Sequence, residues 1–99
     1  MEDLLYVMIL EKSKDYKRMN KEAVIRHVEN IRNLDNNGKL KLCGAFKGYP
    51  GVGGMIILKT KSYEEAEEIC KSEPLVVDGY VTYKLATLQV GHKDNNYLL

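Results

Sequence analysis

Two stretches of this chain are apolar on both sides of an extended backbone, and that narrows what it can fold into. Leu4 to Leu10 is an unbroken apolar run of strand length, with Val7 and Ile9 favouring a pleated backbone and Glu11-Lys12 closing it. In such a strand Leu5, Val7 and Ile9 point one way and Tyr6, Met8 and Leu10 the other. Met55 and Ile57 against Ile56 and Leu58 repeat the arrangement. Helices can cover only one face of a sheet built from these strands, so the second face is expected to pack against another copy of the chain.

The 99 residues suit one domain with a modest core. We expect residues 1–91 to form it and residues 92–99, mostly polar, to be a mobile tail with His92 in solvent. Fifteen Lys and Arg against fourteen Asp and Glu give a net charge of +1, with no block of either sign that would suit nucleic acid. The acidic start at Met1-Glu2-Asp3 and the shortness of the following apolar run do not read as a signal peptide, and no stretch has the length of a membrane span. Cys43 and Cys70 have neither C-x-x-C spacing nor a His cluster. They read as buried free thiols in a reducing cytoplasm.

The elements follow in the order strand, helix, strand, strand, helix, strand. After the polar stretch Lys12 to Arg18, an amphipathic helix runs from Asn20, a candidate N-cap, to Asn36, and Asn36-Asn37-Gly38 ends it. Leu40, Leu42 and Ala45-Phe46 predict a second strand, and Met55 to Leu58, continuing to Thr60, a third. Between them Lys47 to Gly54 reads as a turn-rich hairpin loop. Ser62-Tyr63-Glu64-Glu65 has the spacing of a capping box, with Ser62 accepting from the amide three residues on and Glu65 reaching back to the Ser62 amide. Tyr63, Ala66, Ile69 and Cys70 share one side of this second helix, which Pro74 should stop near Ser72. Glu73 to Gly79 then forms an ordered turn or short helical piece before a last strand, Tyr80 to Leu88. This order predicts an α+β fold, a four-stranded antiparallel sheet of ferredoxin-like topology with both helices on one face.

His27 is the chemically informative position. At about 100° per residue, Val24, Val28, Ile31 and Leu34 make a stripe about 120° wide on the first helix, and His27 falls inside it. A titratable ring facing a core is either a satisfied structural histidine or part of a site.

His27, Gly38 and Leu40 leading to Gly44, Ser62-x-Glu64-Glu65-Ala66, Glu73-Pro74 and Gly79 occur in an order and spacing that resembles the YCII-related family. The resemblance covers most of the chain. It implies a dimeric α+β barrel, a ferredoxin-like homodimer whose sheets face one another. It also implies an active site in which a helix histidine pairs with an aspartate just before a proline. His27 matches the histidine, whereas Glu73-Pro74 stands where the family has Asp-Pro, so the carboxylate sits one methylene further out. Within the family the implied activity is elimination of hydrogen chloride from a chlorinated hydroxyquinol, and related barrels isomerise lactones.

Two function classes are compatible with these residues. One is a lyase or isomerase without cofactor or metal, with His27 as base and Glu73 as the group that orients it, acting on a small aromatic or lactone molecule. The other is a noncatalytic module that binds a small molecule or serves by dimerising. Gly44 is a candidate substrate contact, its backbone bare for close approach, with a bulge or packing role as the alternative. Tyr6 and Tyr80 are further candidates through hydroxyls in a dimer cleft, against a plain role as core or interface aromatics. RNA binding is disfavoured because the third strand lacks spaced aromatics on which bases stack. No pattern points to haem, and His27 with Glu73 supplies too few ligands for a metal.

Overall fold

The computed structural model describes residues 3–99, and in it β1 (Leu4–Lys12), α1 (Lys21–Asn36), β2 (Leu40–Ala45), β3 (Val52–Leu58), α2 (Tyr63–Ser72), α3 (Pro74–Val77) and β4 (Val81–Gln89) follow one another. The four strands form one antiparallel sheet in the order β2-β3-β1-β4, the ferredoxin-like arrangement. The two strands with two-sided apolar sequence, β1 and β3, are the central pair. Each has hydrogen-bonded neighbours on both sides, and Val7 stands between Ile57 and Ala86.

Alternation along the strands divides the sheet into two faces. Tyr6, Met8 and Leu10 of β1 and Ile56 and Leu58 of β3 are buried beneath the helices, meeting Ala23, Leu34, Ala66, Cys70 and Leu75. Leu5, Val7, Ile9, Met55 and Ile57 lie on the opposite face and are only half-buried, while Leu42 and Leu88 beside them are exposed. The chain therefore covers one side of its own sheet.

Local chemistry sets the element ends. Asn20 Oδ1 accepts from the Ala23 amide at 2.8 Å and starts α1, and Gly38, at φ 72°, follows its end. Ser62 Oγ accepts from the Glu65 amide at 3.1 Å and starts α2. The return half of the expected box differs, because Glu65 Oε1 accepts from the Lys61 amide at 3.1 Å rather than from Ser62. Glu65 Oε2 takes Lys39 Nζ at 3.1 Å. The Lys61 amide bond and Lys39 together hold the Glu65 carboxyl below its ordinary range.

Several expectations are corrected. β3 begins at Val52, so Gly53 and Gly54 belong to the strand and the loop is shorter than Lys47 to Gly54. A Cβ on Gly54 would stand 2.3 Å from the Gly44 carbonyl oxygen, so the glycine permits close approach of β2 rather than a turn. α1 is also rotated from the predicted stripe. Ala23 and Leu34 are its buried residues, Ile31 packs beside them, and Val24 and Val28 are each 43% exposed. Of the two thiols expected to be buried, Cys70 is buried and Cys43, on edge strand β2, is exposed. His92 is 37% exposed, in keeping with the expectation of a solvated ring, but it also pairs through Nε2 with Asp3 Oδ2 at 2.6 Å and caps the turn that begins at Lys93. Among the described residues no helix is long and apolar enough to cross a membrane.

Candidate functional site

The polypeptide brings His27 and Glu73 together at the junction of α1 and α3. Glu73 ends α2 and caps α3, and its side chain is 0% exposed. Pro74, in the first turn of α3, has no N–H, so the capping carboxylate is free to serve the next amide, and Oε2 accepts from Leu75 N at 2.6 Å. Its other oxygen, Oε1, is bonded to His27 Nδ1. A buried carboxylate is costly unless its oxygens are hydrogen-bonded, and here both are engaged. One residue earlier on α1, Arg26 Nη2 donates to Asp78 Oδ2 at 2.6 Å, at the far end of α3. Consecutive residues of α1 thus grip both ends of α3. The longer side chain of glutamate does not separate it from the ring, because the cap position points the carboxylate inward.

This pairing determines which ring nitrogen is available. An ionised carboxylate can only accept, so the proton of a neutral imidazole sits on Nδ1 and Nε2 keeps its lone pair. His27 is 24% exposed and lines a cavity of about 340 Å³ between α1, the segment preceding it and the β2–β3 edge. The walls are largely apolar, including Leu10, Met19, Met55 and Leu75. The titratable side chains on them are Tyr16, His27 and Cys43.

The site residues expected from the sequence divide accordingly. Gly44 lines the cavity, and the space where its Cβ would stand is open. Tyr6 and Tyr80 are not on its walls. Tyr6 points from β1 to the helix-covered face, is 6% exposed and meets Tyr63 edge-on with ring centroids 6.2 Å apart. Tyr80 packs partly against the core and bonds through its backbone to Leu75 O at 2.9 Å. Both pack within the chain. Tyr16 and Cys43 were missed by sequence reasoning. Tyr16 lies in a run of Lys, Asp and Arg that reads as a polar connection, and its only signal is a lone aromatic there. Cys43 carried no spacing signal. Among the described residues no group of three or more His, Cys, Asp or Glu is placed to hold a metal ion.

Fold and site define a ferredoxin-like α+β protein with a His–carboxylate pair opening on an apolar cleft. The YCII-related domain model matches residues 4–86, and the chain belongs to the YCII-related family. Uncharacterized protein YjpA of Bacillus subtilis (strain 168) is 32% identical over 74 residues, which span 75% of this chain and 81% of that protein. The 5-chloro-2-hydroxyhydroquinone dehydrochlorinase TftG of Burkholderia phenoliruptrix AC1100, solved in complex with 2,5-dihydroxybenzoquinone, superposes with a TM-score of 0.62. It is 13% identical, and the match covers 93% of this chain and 98% of that one. The hydroxynitrile lyase of Passiflora edulis gives a TM-score of 0.54 at 9% identity, covering 94% of this chain and 98% of that one. At these identities the likeness is one of fold.

Proposed function

We propose that the chain is a small cofactor-free enzyme of the lyase or isomerase type, in which His27 Nε2 takes a proton from a small molecule bound in the cleft and Glu73 orients the ring. The observation that carries this reading is the buried Glu73 carboxylate with its two oxygens divided between the Leu75 amide and His27 Nδ1. That arrangement selects the tautomer with a basic Nε2 and holds the imidazolium once the proton has moved. A cavity of about 340 Å³ suits a molecule the size of a single substituted ring. Loss of hydrogen chloride from a chlorinated hydroxyquinol and loss of hydrogen cyanide from a hydroxynitrile each require removal of a proton, which fits the two solved relatives by name. Gly44 would let the ring of the substrate approach the β2 backbone.

The test is chloride release from a chlorinated hydroxyquinol by the wild-type chain and by His27→Ala. The variant is expected to keep its circular dichroism spectrum and lose about 10²–10⁴-fold in rate, the usual contribution of a positioned base. Unchanged turnover, or a variant that unfolds, would remove the catalytic role.

We further propose that the apolar open face of the sheet packs on a second copy, giving the homodimer, and that the protein works in the cytoplasm. The half-buried Leu5, Val7, Ile9, Met55 and Ile57 support the first point. Two free cysteines, one of them exposed, suit a reducing compartment. Light scattering that reports a monomer at micromolar concentration would overturn the dimer.

A further inference from the structure

We propose that Tyr16 is a second catalytic group of the cleft, its phenol donating a hydrogen bond to the oxygen of an enolisable carbonyl compound while His27 removes the neighbouring proton. This rests on the base role given to His27 above. Tyr16 opens the 3-10 turn between β1 and α1, packs partly against the core and reaches the cavity wall. Its hydroxyl lies 3.3 Å, and its Cε2 3.4 Å, from where a Cβ on Gly53 would stand, so the ring end rests on a bare stretch of β3. Lys12 Nζ, 4.9 Å from the ring centroid, packs against the ring as well. The phenol is therefore held at a defined place on the wall, on a different element from His27.

The chemistry of the walls selects the ligand. No Lys or Arg lines the cavity, so a permanently anionic substrate would enter without a counter-charge. A neutral carbonyl compound enters at little cost, and its charge develops only inside. When the C–H bond breaks, the proton passes to Nε2 of His27 and the C–H electron pair becomes the new C=C bond. The C=O pair moves onto oxygen, and that oxyanion accepts from the Tyr16 hydroxyl. A donor aimed at developing charge against apolar walls is worth more than the same donor in water.

The experiment measures binding of two probes of similar size, the enolate of 1,3-cyclohexanedione and neutral cyclohexanone, by calorimetric or NMR titration. The wild-type chain is expected to bind both, the ketone without a cost for charge and the enolate through the Tyr16 hydroxyl. Tyr16→Phe should weaken enolate binding about ten- to hundredfold, the usual effect of one hydrogen bond to a charged group, and leave the ketone unchanged. Gly53→Ala places a methyl against the hydroxyl and should give the same selective loss with the phenol still present. Equal loss of both probes in Tyr16→Phe would mark a packing residue and overturn the proposal, as would unchanged enolate affinity or a wild-type chain that binds no enolate. His27→Gln separates this inference from the one beneath it. Its readout is deuterium exchange of the cyclohexanone α-hydrogens: exchange lost in His27→Gln with enolate affinity unchanged in Tyr16→Phe leaves the base and removes the donor, and unchanged exchange in His27→Gln with selective enolate loss in Tyr16→Phe removes the base alone.

Discussion

At position 73 a carboxylate shut away from water commits one oxygen to a backbone amide and the other to an imidazole, and this arrangement makes a sharp prediction for Glu73→Gln. The amide oxygen of Gln can still accept from Leu75 N–H, which leaves the Gln NH2 facing His27 Nδ1. A donor there requires a lone pair on Nδ1, so the ring proton is expected to move to Nε2. Imidazole ¹⁵N shifts should then report the Nδ1–H form in the wild-type chain and the Nε2–H form in the variant, with the proposed base function lost and the fold retained. A ring that keeps its proton on Nδ1 in Glu73→Gln would show that something else fixes the tautomer. Glu73→Ala, by contrast, strands a buried amide donor and should cost about 1–3 kcal/mol in chemical denaturation. The meeting of His27 with Glu73 was legible through the family pattern of a helix histidine and a carboxylate before a proline, whereas the apolar period that marked His27 counted Val24 and Val28, which are exposed. Tyr6 and Tyr80 lie off the walls of this cavity, because Tyr6 alternates onto the helix-covered face and Tyr80, just before β4, packs against the core.

Among the elements, the β2–β3 hairpin offers a matched pair of substitutions. A Cβ on Gly54 meets the Gly44 carbonyl oxygen at 2.3 Å, whereas a Cβ on Gly44 meets nothing within 4 Å. Gly54→Ala is therefore expected to force the strands apart and cost about 1–3 kcal/mol in stability, as overpacking usually does. Gly44→Ala should melt like the wild-type chain. If both variants melt alike, the close approach at Gly54 is not what holds this edge together. The hairpin was also where the sequence misleads most. Gly51-Val52-Gly53-Gly54 has the composition of a turn, yet only Gly48 and Gly51 take positive φ in this connection, and the other two glycines are strand residues. The strand and helix order was legible because hydrophobic period changes from two to about 3.6 at recognisable caps. The rotation of α1 was not, because Val24 and Val28 outweigh Ala23 in any count of apolar residues, while it is small Ala23 that is buried.

For the whole molecule, the alkaline limb of stability follows from the core. Burial pushes the Cys70 thiol up to about 11 from its usual value near 9, with Glu67 adding to the shift, and burial raises Tyr83 in the same direction. In the unfolded chain these groups release their protons sooner, so folding is favoured fully below about pH 9 and loses that contribution as the pH rises towards 11. Denaturation midpoints should fall across that window, and Cys70→Ala should flatten the fall. An unchanged slope in the variant would assign the alkaline limb to other groups. The proposed dimer turns on the open sheet face. Ile57 sits at its centre, opposite Val7 on one side and Leu42 on the other, whereas Lys84 and Glu11, 3.8 Å apart, mark its polar rim. In a twofold dimer built on this face, Ile57→Asp would bury two like charges among apolar side chains, a cost that a modest interface does not offset. Light scattering should find that variant monomeric, with its helix-covered core intact by circular dichroism, while Lys84→Ala at the rim stays dimeric. A dimeric Ile57→Asp chain would place the interface elsewhere and leave the apolar face of β1 and β3 without an explanation.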